Sequence, residues 1–194
     1  ALALRVARAV DARPRDPGEA ALARIATALG KYWICKRAPV LVNEAQECLG
    51  GAGYVEDSTL ARHYRQAPLN SIWEGSGNIQ CLDVLRALAR EPETRDAYFA
   101  ELDAARGLSA ELDGERARLG HVLDDRSTLE LRARRVAERM ALALQASILL
   151  RGGDADVAAA FCASRLSGDH GAAFGTLAPD APLDALLARG GVAA

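Results

Sequence analysis

Glu74 is the residue best placed to do chemistry. It follows the apolar pair Ile72–Trp73 and precedes Gly75, Ser76 and Gly77, after which a helical pattern begins. A carboxylate set beside Ile and Trp and shielded from water loses hydration. That raises its pKa and makes it a better proton acceptor near neutral pH. Glycines directly after it let a planar ligand approach the backbone closely. Free amides at the start of the next helix favour anionic or electron-rich groups. The competing explanation is a solvated or capping loop carboxylate, and the stretch alone does not decide between them.

Other chemistries find little support. Cys35, Cys48, Cys81 and Cys162 are far apart with no C-x-x-C spacing, and His63, His121 and His170 are scattered. No metal site is expected from such spacing, and the thiols read as reduced and buried. Lys and Arg number 24 against 26 Asp and Glu, a net charge of -2, so the chain as a whole is not a nucleic-acid footprint. The charge is uneven: residues 1–37 carry eight basic and three acidic residues, an excess of +5, which leaves -7 for the remainder. No signal peptide and no apolar run of about 18 residues is present, so no membrane span is expected and the cytoplasm is the expected location. The chain opens on "ALALRVARAV", a helix already under way without an initiating Met, and reads as a fragment.

The elements that must position Glu74 read as helices throughout; half the residues are hydrophobic, enough for a sizeable core. "ALALRVARAVDAR" has helical spacing and ends at the two prolines of "PRDPGE". A long helix is expected over about 19–49, with Leu22, Ile25, Leu29, Trp33, Val40 and Ala45 on its buried side and a kink or break at Pro39. "LGGAGY" stops it, because paired glycines supply the positive φ of a helix C-cap. It is not a dinucleotide-binding loop, since no strand precedes it and position 56 is Glu. A short helix capped at Asp57 or Ser58 ends before Pro68. Another spans about 77–89, with Ile79, Leu82, Leu85 and Leu88 as its apolar stripe. After "EPET" the character changes. Helices are expected from Pro92 to about Arg106, over 110–123, from Ser127 to Arg151 with Ser127 and Glu130 as a capping box, and over about 154–166. A loose Gly/Ala/Pro-rich end follows, and no strand pattern survives.

Two helix faces gather arginines. Arg86 and Arg90 are four residues apart, and Arg132, Arg135 and Arg139 share a face of the long tail helix, where five Arg stand against two Glu from Ser127 to Arg151. The alternatives are an ordinary solvated face and a surface for duplex DNA. No aromatic residues interleave, so any nucleic-acid contact would be to phosphates.

The stretch "LGGAGYVEDSTLARHYRQAPLNSIWEGSGNIQCLDVLRAL" resembles the C-terminal helical domain of the flavin-dependent acyl-CoA dehydrogenases, in particular the alkylation-response, AidB-like subgroup. "LGGAGY" matches the glycine turn after the long helix, "RHYRQAP" the arginine-bearing link, and "IWEG" the position of the catalytic glutamate. "GKYWICKRAP" and "NSIWEGSGNIQCLDVLR" fit the subgroup. The resemblance implies an all-α bundle over residues 1–90 and a helical C-terminal extension over 91–194 packed on it. It further implies FAD as cofactor, an acyl-CoA thioester as substrate, homo-oligomeric assembly and a DNA-associated role in the full-length protein. Glu74 becomes the base that removes the α-proton. Gly75 and Ser76 lie beside the flavin. Glu47, Gly50 and Gly51 meet the adenosine end of FAD from a neighbouring subunit.

Three departures qualify the match. Glu47 stands where many members carry Gln and cannot donate hydrogen bonds as an anion. Ser76 replaces the common Thr and keeps the hydroxyl. Trp73 replaces Tyr and adds bulk where an acyl chain would pass, which argues against ordinary fatty acyl-CoA turnover. The family also needs an N-terminal helical domain and a middle β domain, which 194 residues cannot contain. The isolated chain is therefore expected to be inactive and to bind FAD weakly or not at all. The rival from another class is a non-catalytic helical module for oligomerisation or DNA binding.

Overall fold

The computed structural model describes residues 1–191. Helices account for 74% of the chain, and among the described residues there is no strand, so the fold is all-α as expected. The helices are α1 (Leu2–Ala12), α2 (Pro17–Cys48), α3 (Gly51–Tyr54), α4 (Leu60–Gln66), α5 (Gly77–Arg90), α6 (Pro92–Asp103), α7 (Ala110–Asp124), α8 (Ala133–Arg151), α9 (Ala155–Phe161) and α10 (Leu183–Arg189). A 3₁₀ turn, Ala67–Ser71, follows α4, and a π-helical turn, Cys162–Ser167, extends α9.

α2 is the spine. Asp16 caps it, accepting hydrogen bonds from the Gly18 and Glu19 amides, and Pro17 occupies the first helical position, where a missing donor costs nothing. It continues through Pro39 without the expected interruption. One ladder bond is lost there, but the neighbouring α3, α4 and 3₁₀ turn all pack along α2 and hold the segment helical. The first half of α2 is buried around Leu22, Ile25, Ala26 and Leu29; the second half emerges from the core, so Val40 is 47% exposed and not buried as expected.

α5 runs antiparallel to α2. Gly77 lies against Tyr32 and Lys36, while Asp83, further along α5, pairs with Arg24, nearer the start of α2. Its buried line is Gly77, Cys81, Val84 and Ala87. Leu82, Leu85 and Leu88 are half-buried against that core, and Ile79 is 55% exposed, so the stripe lies about one residue off the expected one. Burial pushes the Cys81 thiol up to about 11.

One hydrophobic cluster extends from Leu2 to Leu166 and joins α1, α2 and α5 to α6, α7 and α8. Polar links at the seam complete it. The Tyr98 hydroxyl donates to the Met140 carbonyl at 3.0 Å, Ser147 Oγ donates to the Glu101 carbonyl at 2.6 Å, and Trp33 Nε1 donates to Gln145 at 2.9 Å.

The tail departs from expectation at its helix ends. α6 stops at Asp103, three residues early. The Ser127–Glu130 capping box does not form: Asp125 takes both the Ser127 amide and hydroxyl, a 3₁₀ turn covers Arg126–Thr128, and α8 begins only at Ala133. A local Asx-type bond has outcompeted the helix start. The segment read as a loose end contains α10 and an isolated antiparallel bridge between His170 and Leu177.

Candidate functional site

The loop that carries Glu74 is held by its backbone. After the 3₁₀ turn, Ile72 and Trp73 donate to the Leu69 carbonyl at 2.9 and 3.2 Å. Lys31, on α2, places its ammonium 2.7 Å from the Asn70 carbonyl, 2.8 Å from that of Trp73 and 3.5 Å from that of Gly75. From the other side, the Gln80 amide donates to the Glu74 carbonyl at 3.1 Å. Three loop carbonyls converge on one cation, and that convergence sets the path of the chain.

This path forces an unusual conformation on Glu74. Its φ is 53°, and among the described residues it is the only non-glycine with positive φ. Such a conformation costs about 1–2 kcal/mol for an L-residue. Gly75 follows at φ 99°, where a side chain would be strained as well. The Glu74 carboxylate is exposed and has no hydrogen-bond or ion-pair partner among the described residues. The shielding expected from its neighbours is not supplied here: Ile72 is 64% and Trp73 54% exposed.

Ser76 is the N-cap of α5 and makes no side-chain cap bond, so the first amides of that 14-residue helix keep their hydrogen-bonding capacity. Glu74, Gly75, Ser76 and the helix N-terminus thus form one continuous, open edge. A flat, electron-rich group fits that donor set. FAD, the cofactor implied by the sequence, offers one in its isoalloxazine ring.

The second candidate cluster lies at the far end of α2. Leu49 is the C-cap of α2, and Gly50 reverses the chain at φ 58° with its amide on the Glu47 carbonyl at 3.0 Å. Gly51 then starts α3. The turn is locked from inside by Gln46, which is buried and donates to the Gly53 carbonyl at 3.1 Å. A Cβ on Gly53 would lie 2.4 Å from the Gln46 carbonyl oxygen, so that glycine is required by close approach. Glu47, Gly50 and Gly51 themselves are exposed. Lys31 and Glu47 are sixteen residues apart on one helix, about 24 Å at roughly 1.5 Å per residue. The structure therefore does not bring Glu47, Gly50 and Gly51 to Glu74, Gly75 and Ser76 within one copy of the chain.

The five arginines considered for DNA do not assemble into one free basic face. Arg86 pairs with Asp83 at 3.4 Å, Arg132 with Asp125 at 3.0 Å, and Arg139 with Glu115 at 2.6 and 2.7 Å. Arg139 also donates to the Arg165 and Leu166 carbonyls at the end of the π-helical turn. Only Arg90 and Arg135 have no polar partner among the described residues. Arg86 and Arg132 are paired by carboxylates close in sequence, and only Glu115 reaches its arginine from another helix, which a count of charges on one helix cannot record.

Lys31, Gln46 and Gln80 position the two clusters yet carry no sequence signal of their own. Each acts on a backbone carbonyl made available by a turn elsewhere, and only the turn leaves a trace in the sequence.

An all-α bundle with a glycine turn after a long helix and a glutamate loop before the next defines a class. Residues 1–89 match the family "Acyl-CoA dehydrogenase, C-terminal domain", and this part of the chain belongs to it. The particular likeness is to AidB of Escherichia coli (strain K12), 41% identical over 84% of this chain and 29% of AidB. Acyl-CoA dehydrogenase family member 11 of Caenorhabditis elegans is 42% identical over 37% of the chain and 12% of its own length. The mitochondrial short-chain specific acyl-CoA dehydrogenase of Bos taurus is 38% identical over 34% of the chain and 14% of its own. A solved structure, Bd2924 in its apo-form, superposes with a TM-score of 0.62 at 26% identity, covering 84% of this chain and 29% of that one. The chain thus spans less than a third of the length of the relatives it matches. Among the described residues no helix is long and apolar enough to cross a membrane.

Proposed function

We propose that this chain is the helical C-terminal part of an AidB-type, FAD-linked acyl-CoA dehydrogenase, and that Glu74 is its catalytic base. The observation that carries the reading is the state of Glu74. The loop imposes positive φ on it, clamps its backbone through Lys31 and Gln80, and leaves its carboxylate with no partner among the described residues. A strained, clamped and unpartnered acid contributes little to folding and is poised toward something outside this chain.

In this reading the carboxylate of Glu74 accepts the α-proton of a thioester bound over Trp73. FAD, if bound along this edge, would supply the acceptor for the β-hydride. Gly75 allows the cofactor close to the backbone, and Ser76 with the first amides of α5 donates to its electron-rich edge. Glu47, Gly50 and Gly51 serve the adenosine end of a cofactor held by a second copy, because about 24 Å of α2 separates the clusters in one copy. That makes the working unit a homo-oligomer. Water is excluded from Glu74 by segments outside this chain, since Ile72 and Trp73 do not do so here.

The test is Glu74→Gln in the full-length protein. FAD content should be unchanged, and α-proton exchange of an acyl-CoA thioester should fall by about 10²–10⁴-fold. Unchanged exchange would place the base elsewhere. The bulk of Trp73 favours short or branched acyl groups over long straight chains.

A further inference from the structure

α7, α8 and the π-helical turn enclose a groove of about 530 Å³ that the proposed dehydrogenase chemistry does not use. Its size suits a small ligand. Val122, half-buried, and the nearly fully buried Leu119 and Val136 form an apolar floor, while Arg118, Arg132, Arg135 and Arg139 also line it. Residues 115, 118, 119 and 122 recur at helical spacing on α7, as do 132, 135, 136 and 139 along α8 and its N-cap, so both helices turn one face to the groove.

The charge balance points to the ligand. Glu115 is the only acid in the lining; it is 1% exposed, and it is engaged by Arg139 and by an ion pair with Arg118. Asp125, outside the lining, pairs with Arg132. Glu138, also outside the lining, acts on Arg139 through its charge, so the four guanidiniums face three carboxylates and one positive charge remains in excess. Among the described residues Arg135 has no polar partner, and Arg132 Nε is a buried donor without one. Guanidinium forks match phosphate oxygens in geometry, and a phosphate monoester carries about 1.5–2 negative charges at neutral pH.

We propose that this groove binds a small phosphate monoester with a compact apolar or aromatic body, the phosphate meeting Arg135 beside Arg132 and the body lying on the half-buried Val122. Duplex DNA fits less well, because its phosphodiesters carry single charges on a convex backbone while these arginines line a concavity.

Phenyl phosphate is the probe, titrated by calorimetry into the full-length protein. Arg135→Gln is the informative variant, because Arg135 is exposed and unpaired and its loss breaks no internal contact. Arg90→Gln, an equally unpaired arginine outside the groove, is the control. Saturable binding should weaken about 10-fold or more in Arg135→Gln and change less than about 2-fold in Arg90→Gln, as loss of one charge-assisted hydrogen bond requires. Inorganic phosphate should bind more weakly than phenyl phosphate but with the same dependence on Arg135. The proposal is overturned by wild-type affinity in Arg135→Gln, by equal loss in both variants, or by a groove that responds to duplex DNA and not to phenyl phosphate.

Discussion

Glu115 lies between α7 and α8 at 1% exposure with Arg139 across both of its oxygens and Arg118 beside it, whereas Glu74 sits exposed before α5 with positive φ and no partner. The tail has taken a carboxylate out of water and compensated it fully. The amino-terminal bundle has done the reverse, accepting backbone strain to hold a carboxylate out where none of the described residues meets it. A compensated buried acid is a structural device. A strained, uncompensated exposed one is better explained by a partner from outside. Glu101 belongs with Glu115: Arg5 reaches it at 2.8 and 2.9 Å, Arg151 joins from α8, and Arg5 also holds Glu19, tying α1, α2, α6 and α8 together.

The contrast is broken most directly at Glu115. Glu115→Ala leaves Arg139 with only the Arg165 and Leu166 carbonyls, while Arg118 is exposed enough to be met by water, and should destabilise the protein by about 1–3 kcal/mol in urea unfolding. A loss under about 1 kcal/mol would mean that water compensates the arginines and that the junction is not a true buried pair.

A smaller effect is expected from pH. Burial works to raise the Glu101 carboxyl, but hydrogen bonds and charges from Arg5 and Arg151 outweigh it and hold the group below the ordinary glutamate range. Its folded pKa is therefore lower than its unfolded one. The stability it contributes is complete above the unfolded value of about 4.3 and is lost as pH falls through the lower folded value. Glu101→Gln should accordingly show a shallower fall in urea midpoint below about pH 4.5 than the wild type. Parallel curves would remove Glu101 from the compensated class.

The smallest effect sharpens the other side of the comparison. Glu74→Gly should relieve about 1–2 kcal/mol of strain and add about 0.5–1 kcal/mol of unfolded-chain entropy, a net gain near 0.5 kcal/mol. Thermal unfolding of the two proteins measures it. A clear loss of stability would show that the Glu74 side chain makes folding contacts after all, and its claim to a functional role would weaken with it.

Local signals in the sequence determined the helices and most of their limits. Pro17 after Asp16, Ser109 before α7, Pro92 at the start of α6 and Gly50 after α2 act through bonds to residues no more than four positions away, so the chain fixes them by itself. The glycine turn and the Trp-Glu-Gly-Ser loop were legible for the same reason, and they sufficed to indicate the family. Tertiary structure decided which faces were used. Val40 and Ile79 fit an apolar stripe in sequence but lie where α2 and α5 leave the core. Arg139 looked like part of a free basic face until Glu115 was brought to it from α7. The Lys31 clamp, which fixes the conformation of Glu74, joins residues about forty positions apart. Pairings of that range depend on helix packing, and a helical repeat of 3.6 residues records only that a face exists, not what will meet it.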